Sequence, residues 1–318
     1  MGPSQREVHI SVVSPVYRAE ACVEELCRRV TAAVSSITSD FEIVLVEDCG
    51  PDGSWEVIRK LAAQDPRIRG IHLSRNFGQH HAISAGLEAA RGEWSFVMDC
   101  DLQDRPEEIP RMYAKAQEGF DCVFARRLTR KDGLRKRLTS WAFYRIFNYL
   151  TDLHHDGATA NFSLLRRQVV RELLRLREAV RFYGGFVHFV GFRRATIDVP
   201  HDPRFSGQSS YGFFKLWGLS MSFILAYSNK PLRLCVRLGF FMSLVSFGLA
   251  TWYLGRALFQ GIPVLGWASL IISIFFSTGL IVLSIGVVGL YVDRIFSEVK
   301  RRPHFVVQER TFEAPDVP

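Results

Sequence analysis

Acidic and amide side chains crowd one short stretch, "FVMDCDLQDRPEE" (96–108), where Asp99, Asp101, Gln103 and Asp104 follow directly on an apolar run. Carboxylates this close repel one another unless a positive charge sits among them. Asp99, Asp101 and Gln103 alternate as D-x-D-x-Q. In extended chain, alternate side chains point the same way, so three oxygen-bearing groups would converge on one spot. A small, solvent-open set of oxygen donors suits Mg²⁺ or Mn²⁺ shared with substrate phosphates. A cation bridging a diphosphate makes it a good leaving group. A lone D-x-D also occurs in solvated turns that cap helices. The position at a strand end and the added glutamine favour the metal. Asp104 and the glutamates after it read as the solvated first turn of the next helix.

Other chemistry-bearing residues also fall where apolar runs end. Pro15 and Tyr17 close "VVSPVY", Asp48 closes "FEIVLVED", Arg75 and Asn76 follow "IRGIHLS", and Arg126 follows "FDCVFA". An acid and an aromatic at adjacent strand ends suit a base-and-ribose pocket, although a helix cap accounts for Asp48 almost as well. The absence of a P-loop and of G-x-G-x-x-G removes support for a P-loop ATPase or a Rossmann NAD enzyme.

The elements that must position these residues repeat. Strands are predicted over 8–17, 41–48, 68–74, 93–99 and 120–125, and helices over 20–37, 54–64, 78–92 and 106–119. Glycine stops the third helix and proline with acidic residues opens the fourth. Repeated βα units imply an α/β fold, a mostly parallel sheet with helices on both faces. Ligands of such sheets bind beyond the strands' C-terminal ends, where the polar residues above lie.

From about residue 234 the composition changes. Residues 238–255 and 257–292 carry no charge, with a break at "QGIP" (260–263), so two transmembrane helices are expected at about 234–258 and 266–292. Arg233 and Arg237 stand at the start of the first, Arg294, Lys300, Arg301 and Arg302 follow the second, and the connecting loop has only Arg256. This bias puts both termini in the cytoplasm. Residues 211–234, rich in Phe, Trp and Leu, read as a helix lying in the membrane interface. Residues 133–150 fit either a membrane-facing helix or an ordinary amphipathic one. The net charge of +8 is concentrated at 126–137 and 300–302, where it would attract anionic headgroups and a lipid phosphate rather than nucleic acid. The six cysteines form no C-x-x-C and no zinc spacing, and read as free thiols, mostly buried. The opening "MGPSQREVHISVVSPVY" does not read as a signal peptide or a myristoylation site.

As an ordered set, "SVVSPVY", "LVEDCGPDGS", "LSRNFGQHHAISAGL", "DCDLQDRPEEIP", "RRLTRKDGLRKRLTSWAFYRIFN" and "GVVGLYVDRIFSEVKRRPHFVVQE" resemble the GT-A glycosyltransferases of family 2. Within that family they resemble the bacterial polyisoprenyl-phosphate glycosyltransferases, relatives of dolichyl-phosphate mannose synthase, including the undecaprenyl-phosphate aminoarabinose transferase branch. The resemblance covers nearly the whole chain. It implies a cytoplasmic GT-A catalytic domain over 1–205, juxtamembrane interfacial helices over 206–233, two transmembrane helices over 234–292 and a cytoplasmic tail over 293–318, in a bacterial inner membrane protein, as a homotetramer. It implies an inverting transfer in which a polyprenyl phosphate displaces the nucleoside diphosphate of a nucleotide sugar with the aid of a divalent metal.

Carried over by the resemblance, Pro15, Tyr17, Glu20 and Asp48 line the nucleotide pocket; Arg75, Asn76 and Asp99 at the strand ends are expected to join nucleotide-sugar binding, and Asp101, Arg126 and Asn161 to serve in catalysis. Asp99, Asp101 and Gln103 hold Mg²⁺ or Mn²⁺. Arg126 and Arg130 belong to the acceptor-side basic loop, and Arg204, Ser209 and Tyr211 of "RFSGQSSY" bind the acceptor phosphate. Two positions depart from the family pattern. Ser210 replaces a lysine, whose role Lys215 would share. Asn161 replaces an aspartate, and an amide is no general base, although the acceptor phosphate is already ionised and needs none. Asn161 is therefore expected to position sugar or phosphate, with Asp156 as a substitute carboxylate. UDP is favoured over GDP or dTDP by the bacterial branch, and a GDP-mannose enzyme like dolichyl-phosphate mannose synthase is the alternative. A polysaccharide synthase would carry Q-x-x-R-W, which is missing, and a non-catalytic scaffold would have lost D-x-D-x-Q.

Overall fold

The computed structural model describes residues 8–127, 145, 149, 159–178, 181, 183–200, 228–260 and 266–313. Two compact units emerge. The first comprises residues 1–145, 153–212 and 302–318, and the second 146–152 and 213–301.

The first unit is built on one eight-stranded sheet of order β7-β5-β6-β4-β1-β2-β3-β8. In chain order its elements are β1 (Ile10–Val16), α1 (Glu20–Ser35), β2 (Phe41–Glu47), α2 (Ser54–Gln64), β3 (Ile68–Leu73), α3 (Gln79–Ala89), β4 (Trp94–Val97), a 3₁₀ turn (Pro106–Glu108), α4 (Ile109–Gln117), β5 (Cys122–Arg127), β6 (Thr159–Arg166), α5 (Arg167–Arg175), α6 (Tyr183–Val190), β7 (Arg194–Val199) and, near the C-terminus, β8 (Val307–Arg310). β6 runs antiparallel to β4 and β5, and β8 antiparallel to β3; the remaining pairings are parallel. This is the mostly parallel α/β architecture expected from the repeated βα pattern.

Every residue of β1, β2 and β4 is buried, as strands covered on both faces must be. Helix α1 supplies Cys22, Val23, Leu26, Cys27, Val30, Ala33 and Val34 to one face at helical spacing, beside α2 and α4. Helix α3 covers β1, β2 and β3 on the other, and α5 packs against α3. The close approach of α3 depends on Gly86. A methyl there would lie 2.3 Å from Val13 Cγ1 and 3.1 Å from Val46 Cγ2. Gly86→Ala is expected to lower stability by about 1–3 kcal/mol through overpacking, despite alanine's better helix propensity, and thermal unfolding followed by circular dichroism checks it.

Pro15 sits inside β1 opposite Val46. The Val13 carbonyl accepts from Met98 N on the β4 side and that of Val16 from Asp48 N on the β2 side. By alternation, the N–H that Pro15 lacks faces the β4 side, where pairing has already stopped at Val13 and Val97. A proline is tolerated in this central strand because its neighbour is short.

In the second unit, α7 (Lys230–Gln260) and α8 (Trp267–Val299) flank the "QGIP" break. Lys230–Leu249 and Ser273–Val299 are long and apolar enough to cross a membrane, and large side chains such as Phe240, Phe247 and Phe275 are more than 70% exposed. Residues 307–310, which the sequence reading put in a tail, are strand β8 of the sheet. Of the expected amphipathic helices, 133–150 lies outside the described residues except at Arg145 and Tyr149, and 211–234 is described only from Ser228.

Candidate active site

The strand order sets the location. From β1 the chain moves outward to β2 and β3, then returns across β1 to β4. The order thus reverses between β1 and β4, and the crevice at their C-terminal ends is where such sheets bind ligands. Left-handed residues mark this rim: Arg18 (φ 53°), Cys49 (φ 51°) and Leu102 (φ 58°) follow β1, β2 and β4. Each costs about 1–3 kcal/mol unless its surroundings hold it, and such strain clusters at functional sites.

Asp99 lies two residues past β4, half-buried. Its Oδ1 accepts from Gln79 Nε2 at 2.5 Å and from Asn161 Nδ2 at 3.5 Å. The second contact follows from register. Val97 pairs with Ser163 in the antiparallel β4–β6 ladder, and continuing it brings Asn161 opposite Asp99. Asn161 is fixed from behind, since Ser163 Oγ donates to its carbonyl at 2.8 Å and lies 2.6 Å from the buried Tyr183 hydroxyl.

D-x-D-x-Q is not an extended strand. Residues 100–102 turn, Leu102 takes the left-handed conformation, and Gln103 N donates to Asp101 Oδ1 at 3.2 Å. Asp99, Asp101 and Gln103 are half-buried while Cys100, Leu102 and Asp104 are buried, so burial still alternates through the turn and leaves the three candidate oxygen donors partly open to solvent. The left-handed Leu102, 2% exposed, anchors the turn in the core. Asp104 corrects the sequence reading. It is fully buried, not part of a solvated first turn; Glu107 is the exposed acid there. Burial, with the Asp99 charge beside it, pushes the Cys100 thiol up to about 12, so it stays neutral.

Asp48 is 3% exposed, and its carboxylate accepts from Phe77 N at 2.7 Å and Gly78 N at 2.8 Å. Burial lifts its carboxyl above the ordinary range although both N–H bonds pull it down. The residue therefore ties the β3–α3 loop to the end of β2, and Asn76 Nδ2 adds a bond to its carbonyl at 3.2 Å. Arg75 is exposed beside the Phe77 ring at 4.4 Å, and Arg18 lies 5.4 Å from the Tyr17 ring. Glu20 is spent on the loop after β2: its N–H donates to Asp52 Oδ2 and its Oε2 accepts from Gly53 N, each at 3.1 Å. Arg126 stands farther along the sheet, on β5, ion-paired with Asp198 of β7 at 2.6 Å. Arg130, Asp156, Arg204, Ser209, Ser210, Tyr211 and Lys215 lie outside the described residues.

Two groups escaped the sequence reading. Gln79 opens α3 rather than ending a strand, and only the fold brings it to Asp99. His80 and His81 follow it. Burial pushes both down to about 4, with His81 and Arg181 adding to the effect at His80, and His304, Arg181 and Arg75 at His81. Both imidazoles are neutral at neutral pH.

Among the described residues no three His, Cys, Asp or Glu side chains form a metal cage of their own. A hard divalent ion shared with substrate needs only one or two protein carboxylates, its remaining ligands coming from water and substrate phosphates. Asp99 and Asp101 offer hard oxygens for it, and the partners above place uncharged amides on Asp99.

Known proteins resemble this chain in sequence and in fold. Residues 11–174 match the pattern of Glycosyl transferase family 2. The chain is 36% identical over 305 residues to the uncharacterized glycosyltransferase YkcC of Bacillus subtilis, covering 96% of this chain and 94% of that protein. It is 34% identical to the SfII prophage-derived bactoprenol glucosyl transferase of Shigella flexneri (94% and 97% covered). It is also 34% identical to the undecaprenyl-phosphate 4-deoxy-4-formamido-L-arabinose transferase of Shewanella sediminis (94% and 92% covered). Among solved structures, glucosyl-3-phosphoglycerate synthase from Mycobacterium tuberculosis in complex with Mn²⁺, UDP and phosphoglyceric acid shares the fold at a TM-score of 0.51 and 17% identity, over 69% of this chain and 76% of that one.

Proposed function

Because the chain belongs to glycosyl transferase family 2, we propose that it moves a sugar from a nucleotide-diphosphate sugar, UDP-linked in the first instance, to a polyprenyl phosphate such as undecaprenyl phosphate. The observation that carries this reading is the Asp99 carboxylate, set beyond β4 at the topological switch point with the amides of Gln79 and Asn161 on it. The end-to-end similarity to transferases named for bactoprenol and undecaprenyl phosphate supports the acceptor. The two long apolar helices support a membrane location, in which both termini face the cytoplasm, and the family resemblance supports a tetramer.

In the proposed reaction an oxygen of the acceptor phosphate attacks the anomeric carbon. The bond from that carbon to the β-phosphate oxygen breaks, and the nucleoside diphosphate leaves from the opposite face with inversion. Asp99 and Asp101, with Gln103, would hold Mg²⁺ or Mn²⁺, which when bound neutralises charge on the departing diphosphate. Asp48 shapes the nucleotide side by fixing the loop that carries Asn76, Phe77 and Gly78. No base is needed, so an amide at position 161 is compatible with turnover; its work is to orient Asp99. Asn161→Ala is expected to lower turnover about ten- to a hundredfold, the usual cost of removing a partner that orients a ligand carboxylate. A rate near wild type would remove Asn161 from the mechanism.

The direct test offers purified protein in detergent a panel of UDP-, GDP- and dTDP-sugars, undecaprenyl phosphate and Mg²⁺ or Mn²⁺. Lipid-linked sugar and released nucleoside diphosphate are measured. Product from no donor, or product unaffected by chelation of the metal, would overturn the proposal.

A further inference from the structure

A row of side chains across three strands ends at the nucleotide side of this site. Glu47 on β2 pairs in register with His72 on β3, and His72 with Glu309 on β8. Residues opposite one another on adjacent strands share a face, so the row reads acid, imidazole, acid. His72 Nδ1 lies 2.6 Å from Glu47 Oε2. Trp55 of α2 stacks on His72 with centroids 5.1 Å apart, and its Nε1 donates to Glu309 Oε2 at 3.1 Å. Glu47 is 1% exposed and Trp55 is 7% exposed, so the inner part of the row is buried, while Glu309 at its outer end is exposed.

Its inner end does specific work. The Glu47 carboxylate accepts from Cys49 N at 3.0 Å and from Gly50 N at 2.5 Å. Cys49 is the left-handed residue after β2, and Asp48 immediately before it binds the loop of Phe77 and Gly78. Glu47 thus holds in place the strained turn that aims Asp48. The outer end belongs to β8, which begins only seven residues after α8 ends, at 300–306. β8 is tied down further along: Gly70 N donates to Thr311 Oγ1 at 2.8 Å, and Ser74 N to the Val306 carbonyl at 2.9 Å.

We infer that His72 is a positioning residue for the donor nucleotide, and that strand β8, through Glu309, Trp55, His72 and Glu47, completes the pocket begun by β1 and β2. The chain beyond its last apolar helix is then part of the donor site rather than a tail. The inference rests on the reading of that rim as a nucleotide site.

The test uses the full chain in detergent, with UDP as the binding probe. His72→Ala is expected to weaken UDP about tenfold and to raise the donor KM in step, with acceptor KM unchanged, as loss of one hydrogen bond to a charged group predicts. His72→Gln, whose amide can still donate to Glu47, is expected to recover most of that loss. Trp55→Phe keeps an aromatic face for His72 while removing the donor to Glu309 with part of the ring, and is expected to act in the same direction and more weakly. UDP affinity within twofold of wild type in His72→Ala would overturn the inference, as would equal rises in donor and acceptor KM. Amide hydrogen exchange at Cys49 and Gly50 separates the two readings, because it needs no ligand. Faster exchange there in His72→Ala supports the relay even where wild type ignores UDP, a result that would count against the proposed donor instead. Unchanged exchange overturns the relay.

Discussion

Asp99→Asn is expected to lower kcat/KM for sugar transfer about a thousandfold while leaving the fold intact. The substitution is chosen because it keeps the shape and keeps an oxygen for the amides of Gln79 and Asn161. What it removes is the charge. A carboxylate that meets a cation on a leaving diphosphate acts where charge develops as the bond breaks, and preorganised electrostatic groups of that kind are worth about 10²–10³ in rate each. A thousandfold corresponds to about 4 kcal/mol in the barrier. Asp99 is half-buried at a loop, not in the core, so thermal unfolding of the variant is expected within a few degrees of wild type. The measurement is initial rate against donor concentration at saturating Mg²⁺ or Mn²⁺, beside a melting curve. Rates within threefold of wild type would take Asp99 out of the chemistry and leave its amide contacts as mere loop packing.

The sequence foretold this site unevenly, and for physical reasons. β1 to β4 are read to within a residue or two because a strand covered on both faces must be a continuous apolar run, and polar residues at its end stand out. Asp99, Asp48, Tyr17 and Asn76 were visible for that reason. The turn at 100–102 was not, because D-x-D-x-Q has the alternation of a strand; only the left-handed Leu102, plugged into the core, shows that the chain bends there. Asp104 misled because an acid before Pro106 has the pattern of a helix start, whereas its burial is a property of the packed fold. Gln79 and His72 depend on tertiary neighbours and carry no local signal. β8 was illegible for a further reason. "VQER" at a sheet edge is polar and mostly exposed, and its strand character comes from β3 beside it.

Glu42→Ala is expected to destabilise the first unit by about 3–5 kcal/mol, the largest stability effect among these substitutions. Glu42 is 1% exposed on β2, at the opposite end of the strand from Asp48. Its Oε1 accepts from Ser11 Oγ and from Arg91 N, each at 2.7 Å, and its Oε2 accepts from Arg69 Nη1 at 2.7 Å and Arg91 Nε at 2.9 Å. Arg69 is itself buried, with a further bond to the Ala89 carbonyl at 2.9 Å and its guanidinium 3.8 Å from the Phe312 ring. Removing the carboxylate leaves that cation buried without its counter-charge, which costs far more than the pair contributes net. Against a typical domain stability of about 5–15 kcal/mol the loss is severe. The same network sets a pH dependence. Burial pushes the Glu42 carboxyl up, but Arg69, Ser11 and Arg91 together outweigh it and hold the carboxyl below its usual value of 4.5. A carboxyl depressed in the folded state stabilises the fold above its unfolded pKa, and that contribution is lost as pH falls through the folded value. The loss therefore falls in the acid range, below about 4.5, where the unfolded chain binds the proton first. Urea unfolding of wild type and Glu42→Ala at neutral pH and in that acid range checks both claims. The gap between the two proteins is expected to be widest at neutral pH and to narrow in acid. A gap that stays constant across the range would show that Glu42 contributes by packing alone, and a gap under about 1 kcal/mol at neutral pH would show that Arg69 finds water or another partner when its carboxylate is gone.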